Sequence, residues 1–149
     1  MSAQNNRNRK LQDLIGNTHL APHNEKTQVF MYDFTTQGGA AGAITMTNAE
    51  GKASTLPDNA IITRATWDVV TPLASGGSAT VALGVATDGA AIIKAATAFD
   101  NAAYVAATQV GGLVASKKLT AARAVLLTIA TAALTAGKMY LYITYVEGY

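Results

Sequence analysis

The last twelve residues, KMYLYITYVEGY from Lys138 to Tyr149, constrain the fold more than any other stretch of the chain. Side chains alternate across the pleat of a strand, so a half-buried strand carries one apolar and one polar face. Here neither face is polar. Met139, Leu141, Ile143 and Tyr145 line one side, and Tyr140, Tyr142, Thr144 and Val146 line the other. Both sides need cover, and the second is expected to meet another copy of the same chain.

From Thr27 onward the remaining signals are also those of strands and turns. TQVFMYDFT alternates and is aromatic, GGAAG reads as a flexible link, and AITMT resumes an extended run. In AIITRATWDVVTP, the residues Ile61, Thr63, Ala65, Trp67 and Val69 share one face, expected to be core. Ile62, Arg64, Thr66, Asp68 and Val70 share the other. Pro57, Asp58 and Asn59 mark the turn before this strand, and Pro72 is expected to close it. In GGSATVALGVATDGAAII, Val81, Leu83 and Val85 point one way and Ala82, Gly84 and Ala86 the other, with Asp88 and Gly89 as a hairpin signal. Lys94 to Lys118 stays open: its alanines permit a short helix around Asn101 to Thr108, while Thr97, Tyr104, Val105 and Val110 suit strands. The last third reads as a hairpin, with Val125, Leu127 and Ile129 on one face of ARAVLLTIA, TAALTAG as the link and MYLYITYV as the return. About eight strands with little helix predict an all-β fold, a β-sandwich or jelly roll.

Composition points the same way. Charged residues are 13% of the chain, about half the usual share, and half of the residues are hydrophobic. Many of these are alanines, which favour flat, close contacts over a bulky core and so suit an assembling protein. The charge divides the 149 residues into a basic polar arm, 1–26, and a β-sandwich domain, 27–149. The arm carries Arg7, Arg9, Lys10 and Lys26 against Asp13 and Glu25, whereas the domain holds seven positive and seven negative side chains. A balanced body does not suit nucleic acid, whose phosphates each need a cation. Within the arm, RNRKLQDLIG makes two turns of helix with Leu11, Leu14 and Ile15 on one stripe and Gly16 as the stop. That is too short to persist alone, so the arm is either a disordered leader or a segment that orders on docking. No signal-like apolar run follows the basic start, and the charge-free stretch Ala124 to Gly137 is too short to cross a bilayer. A soluble intracellular product without membrane contact is expected.

No motif states a chemical activity. His19 and His23 are four apart, but Pro22 separates them and no carboxylate joins them, so they make a poor metal pair. The body lacks histidine, which removes His-dependent triads, and the absence of cysteine removes thiolate sites and disulfides. Gly137-Lys138 resembles the end of a phosphate loop, but Ala132 and Met139 stand where glycine and a hydroxyl residue are required. GGAAG lacks the spacing of a dinucleotide loop. Asp33, Asp68 and Asp100 lie near apolar neighbours, and Asp68 is read as solvated, or paired with Arg64 on the same face or with a neighbouring strand. Tyr140, Tyr142, Tyr145 and Tyr149 serve core and face packing, an oligomer interface or a sugar-binding platform. The chain is expected to be no enzyme, with no cofactor, metal or small-molecule substrate.

The stretches LPDNAIITRATWDVVTPL, GGSATVALGVATDGAAII and LTAARAVLLTIATAALTAGKMYLYITYVEGY together resemble small virion structural proteins of tailed bacteriophages, of the head decoration, cement or head-fibre type. The likeness runs over residues 54–146: a strand entered through a Leu-Pro turn, a GGSAT strand leading into an Asp-Gly hairpin, and a closing hairpin with LTAG before the last strand. It implies a β-sandwich subunit, usually trimeric, made in the host bacterial cytoplasm and carried on the outer surface of the phage head, with the major capsid protein as partner. Tyr140, Tyr142, Thr144 and Val146 are then candidates for the homotrimer interface. Arg7, Arg9, Lys10, Leu11, Leu14 and Ile15 are candidates for a capsid-binding arm. An adhesin or head-fibre module gripping host glycans is the alternative.

Overall fold

The computed structural model of the chain describes residues 25–106, 108–109 and 113–148. The arm residues Arg7, Arg9, Lys10, Leu11, Leu14 and Ile15, both histidines and Tyr149 lie outside them. In chain order the elements are β1 (Lys26–Asp33), α1 (Phe34–Gln37), β2 (Gly42–Thr45), β3 (Thr55–Leu56), β4 (Ala60–Ser75), β5 (Thr80–Val85), β6 (Gly89–Ala98), α2 (Ala102–Val105), β7 (Thr108–Gln109), β8 (Lys117–Lys118), β9 (Arg123–Ala130) and β10 (Leu134–Glu147). The strands form two antiparallel sheets. One has the order β1-β10-β4-β7 with β8 also on β4, and the other the order β2-β9-β5-β6 with β3 also on β9. The β-sandwich expected from the strand pattern is the fold observed. Three two-residue strands, β3, β7 and β8, raise the total above the expected eight.

The core lies between the sheets. β10 contributes Met139, Leu141 and Ile143, and β9 contributes Val125, Leu127 and Ile129, all buried. Those two strands do not form the hairpin that their sequence suggests. β9 pairs with β2, β3 and β5, whereas β10 pairs with β1 and β4, so the short link 131–133 carries the chain from one sheet to the other. Two adjacent strands whose apolar faces must look at each other across a core cannot also lie edge to edge in one sheet.

β10 begins earlier than expected, at Leu134, and Gly137 sits inside it rather than in a turn. Its φ of 146° lies where only glycine is at ease, and a Cβ there would collide with the Leu73 side chain. β4 likewise does not stop at Pro72 but runs to Ser75. The ladder between β4 and β10 is irregular around Gly137, which is the setting in which a sheet accepts proline.

A second irregularity reverses part of the expected core face of β4. The register passes from Thr144↔Arg64 to Tyr145↔Ile62, leaving Thr63 without an opposite residue. Upstream of this bulge the faces exchange: Ile62 is fully buried, while Ile61 is only half-buried and Thr63 is exposed. Ala65, Trp67 and Val69 remain core as expected.

In the open middle segment Thr97 lies on β6, Tyr104 and Val105 lie in a one-turn helix, α2, capped by the Asn101 side chain, and Val110 lies outside the described residues. The role of α2 is to tie the sheets together. The Trp67 indole on β4 donates to the Ala103 carbonyl at 2.7 Å, and the Tyr104 hydroxyl donates to the Val81 carbonyl on β5 at 2.8 Å. Burial pushes the Tyr104 phenol well above its ordinary pKa, so it is a donor at any physiological pH.

β5 and β6 do form a hairpin, but the chain reverses over Ala86 to Asp88, with Thr87 at φ 64°, and Asp88 is freed for another task. Its carboxylate accepts from Arg123 Nε at 2.8 Å and from the Thr120 backbone N–H at 3.1 Å, fastening this turn to the start of β9. The Arg123 and Thr120 bonds hold its pKa down at about 2. A depressed folded-state pKa adds stability that is present above the unfolded carboxylate value of about 4 and is lost as pH falls toward 2. Urea midpoints measured between pH 5 and pH 2 are therefore expected to drop more steeply for the native chain than for Asp88→Asn. Parallel curves would show that the bond does not report on folding.

Candidate assembly surface

The outer face of the first sheet is built from cross-strand rows centred on β10. Each β10 residue on that face has a β1 residue on one side and a β4 residue on the other: Thr27–Thr144–Arg64, Val29–Tyr142–Thr66 and Met31–Tyr140–Asp68. The sequence-derived set Tyr140, Tyr142, Thr144 and Val146 does share this face. Tyr140, Tyr142 and Val146 are half-buried, and Thr144 is only 5% exposed, its hydroxyl 3.0 Å from that of Thr27. Because β10 lies in the middle of its sheet, its neighbours supply part of the cover. Met31 is buried, its backbone bridged to Thr47 by bonds of 2.6 and 3.1 Å. The tyrosine faces themselves remain at the surface, with Val70 of β4 53% exposed on the same side.

Sequence reasoning located the β10 half of this surface and missed the β1 contribution, although the alternation in TQVFMYDFT places Val29 and Met31 on one side. Of the alternatives it left for Asp68, the pairing with Arg64 is not made: no ion pair joins them. Four residues along a strand span about 13 Å, beyond the combined reach of the two side chains, whereas the same spacing on a helix would bring them together.

At one end of the face the Lys138 ammonium lies 3.4 Å from Asp33 and 5.8 Å from the centre of the Tyr140 ring. The Asp33 carboxylate caps α1 by accepting from the Thr35 N–H and hydroxyl, and these bonds, with Lys138, hold its pKa below the usual carboxylate range. Beside Tyr140, the residues Met31, Thr36, Gln37, Thr47 and Lys138 line an open groove of about 610 Å³. At the other end Lys26 and Glu147 pair at 2.8 Å, and the Glu25 carboxylate lies 3.4 Å from the Thr63 hydroxyl. Glu25, the first described residue, thus lies at this edge of the tyrosine face.

Asp33, Asp68 and Asp100 are placed in separate settings. Asp33 serves as a helix cap, Asp68 faces outward beside Tyr140, and Asp100 is exposed in the turn before α2. Among the described residues no group of three or more His, Cys, Asp or Glu is placed to hold a metal ion, and no helix is long and apolar enough to cross a membrane. What the face offers chemically is apolar area with hydroxyl tips and few charges, suited to contact with another protein surface.

No protein-family model matches the sequence, and no curated protein matches it. Its fold is nonetheless shared with chains in three phage capsid structures. A chain of the cyanophage Pam1 capsid asymmetric unit superposes with a TM-score of 0.61 at 21% identity, covering 87% of this chain and 89% of that one. A chain of the acid-stable capsid of Helicobacter pylori bacteriophage KHP30 gives 0.56 at 15% identity, covering 83% and 89%. A chain of the capsid of Ralstonia phage GP4 gives 0.54 at 21% identity, covering 83% and 86%. Over nearly its whole described length, the chain has the fold of a protein found in phage capsids.

Proposed function

We propose that this protein is a structural subunit of a bacteriophage virion, a decoration or cement protein that binds the outside of the head as a homotrimer and stabilises it. The observation that carries the proposal is the Tyr140/Tyr142 face, a low-charge sheet surface on a fold shared over 83–87% of the chain with chains from three capsids. All three related folds come from capsids, which favours a shell subunit over a module gripping host glycans. Tyr140, Tyr142, Thr144 and Val146 pack against neighbouring copies, and the arm with Arg7, Arg9, Lys10, Leu11, Leu14 and Ile15 reaches the major capsid protein. The action is not catalytic. A subunit that bridges neighbouring shell proteins binds only the assembled lattice, and mass action then shifts that lattice away from rupture.

Light scattering on the full-length chain tests the oligomer. The expected mass is three times 15.4 kDa, falling to that of a monomer in Tyr140→Asp/Tyr142→Asp, because two carboxylates buried without partners oppose association. A trimer mass retained by the double variant would remove this face from the interface.

A further inference from the structure

The charges on the tyrosine face are not distributed evenly. Lys138, at one end of it, is tied to Asp33 within the chain, whereas Lys26 and Glu147, at the other end, pair with each other from the opposite side of their strands. Arg64 and Asp68, between them on β4, have no hydrogen bond or ion pair through their side chains among the described residues. They flank the Val29–Tyr142–Thr66 row on either side, one beside Thr144 and the other beside Tyr140. One unpaired cation and one unpaired anion, about 13 Å apart on the same strand and the same face, form a pattern complementary to itself.

We infer that Arg64 of one copy forms an ion pair with Asp68 of the next across the Tyr140/Tyr142 face, so the occupant of this face is a second copy of the chain. The inference rests on the oligomeric reading given above and specifies its register. In a ring where β4 runs around the symmetry axis, each copy presents Arg64 to the following subunit and receives that of the preceding one at Asp68. No charge is left over. The tyrosines between the two groups exclude water and so strengthen the attraction, while a slipped register or a parallel stacking of the two β4 strands sets like charges together or strands one in an apolar contact. The ion pair thus selects which of the possible face contacts forms, and tyrosine burial supplies most of the attraction.

Charge reversal on the full-length protein, read by light scattering over a concentration series, tests this. Arg64→Glu and Asp68→Lys are each expected to weaken self-association by about tenfold or more, since like charges then face each other. The double variant Arg64→Glu/Asp68→Lys restores the pair with its polarity exchanged, and its association should return to within about threefold of the native value. Thermal midpoints of the dissociated single variants should match that of dissociated native protein, because neither group has a partner among the described residues. Native association in both single variants would overturn the ion pair while leaving the tyrosine interface standing, as would a double variant no better than the singles. A native chain that stays monomeric at all concentrations would overturn both.

Discussion

Tyr104→Ala is expected to lower the free energy of unfolding by about 3–5 kcal/mol, the range for removing a buried aromatic ring and leaving a cavity. The ring is fully buried, and its hydroxyl is held by the Val81 carbonyl 2.8 Å away. α2 is only four residues long and has no stability of its own. It stays in place because Trp67 of one sheet grips Ala103 while Tyr104 reaches the other sheet, so loss of the ring releases both attachments. Tyr104→Phe separates the two contributions. It keeps the packing and strands the Val81 carbonyl, at a cost of about 1–2 kcal/mol. Urea unfolding followed by the fluorescence of Trp67, the single tryptophan, measures both. A Tyr104→Ala variant within about 1 kcal/mol of the native chain would show that α2 is a surface ornament rather than a clamp.

Gly84→Val should be nearly as damaging, at about 3 kcal/mol or more. Between the pairs Leu83↔Lys94 and Val85↔Gly89, β5 advances two residues while β6 advances five, so the extra backbone of β6 arches over Gly84. A Cβ on Gly84 would overlap the Gly89 and Ala90 carbonyls, which are backbone and cannot rotate away. Even Gly84→Ala tests the point. Strand preference alone would favour alanine by about 0.5–1 kcal/mol, and the overlap is expected to outweigh it, lowering the melting temperature. Calorimetry decides: an unchanged or raised midpoint in the alanine variant would mean that the arch yields freely.

The strands were legible in the sequence wherever alternation was regular. Val125, Leu127 and Ile129 on β9, and Met139, Leu141 and Ile143 on β10, point into the core as their spacing requires. Legibility failed wherever an extra residue entered the ladder. The bulge at Thr63 exchanged Ile61 for Ile62 in the core, and the irregularity around Gly137 let β4 continue through Pro72. A bulge depends on how two distant segments pair, so neither segment carries its signal alone. The four residues of the candidate interface were found together because they lie on one strand. Val29 and Met31, which complete the surface, were not, because their place beside Tyr142 and Tyr140 depends on a pairing made across the length of the chain.

By itself the sequence determined that the chain is all-β, that its last strand is apolar on both faces, and that its charges are few and balanced outside the first 26 residues. These follow from local alternation and composition. Only the tertiary structure decided that β9 and β10 lie in opposite sheets, that α2 clamps those sheets, and that Arg64 and Asp68 stand apart on the tyrosine face without partners among the described residues. Each of these depends on which strands pair and in what register, and that choice is made by the whole core closing at once.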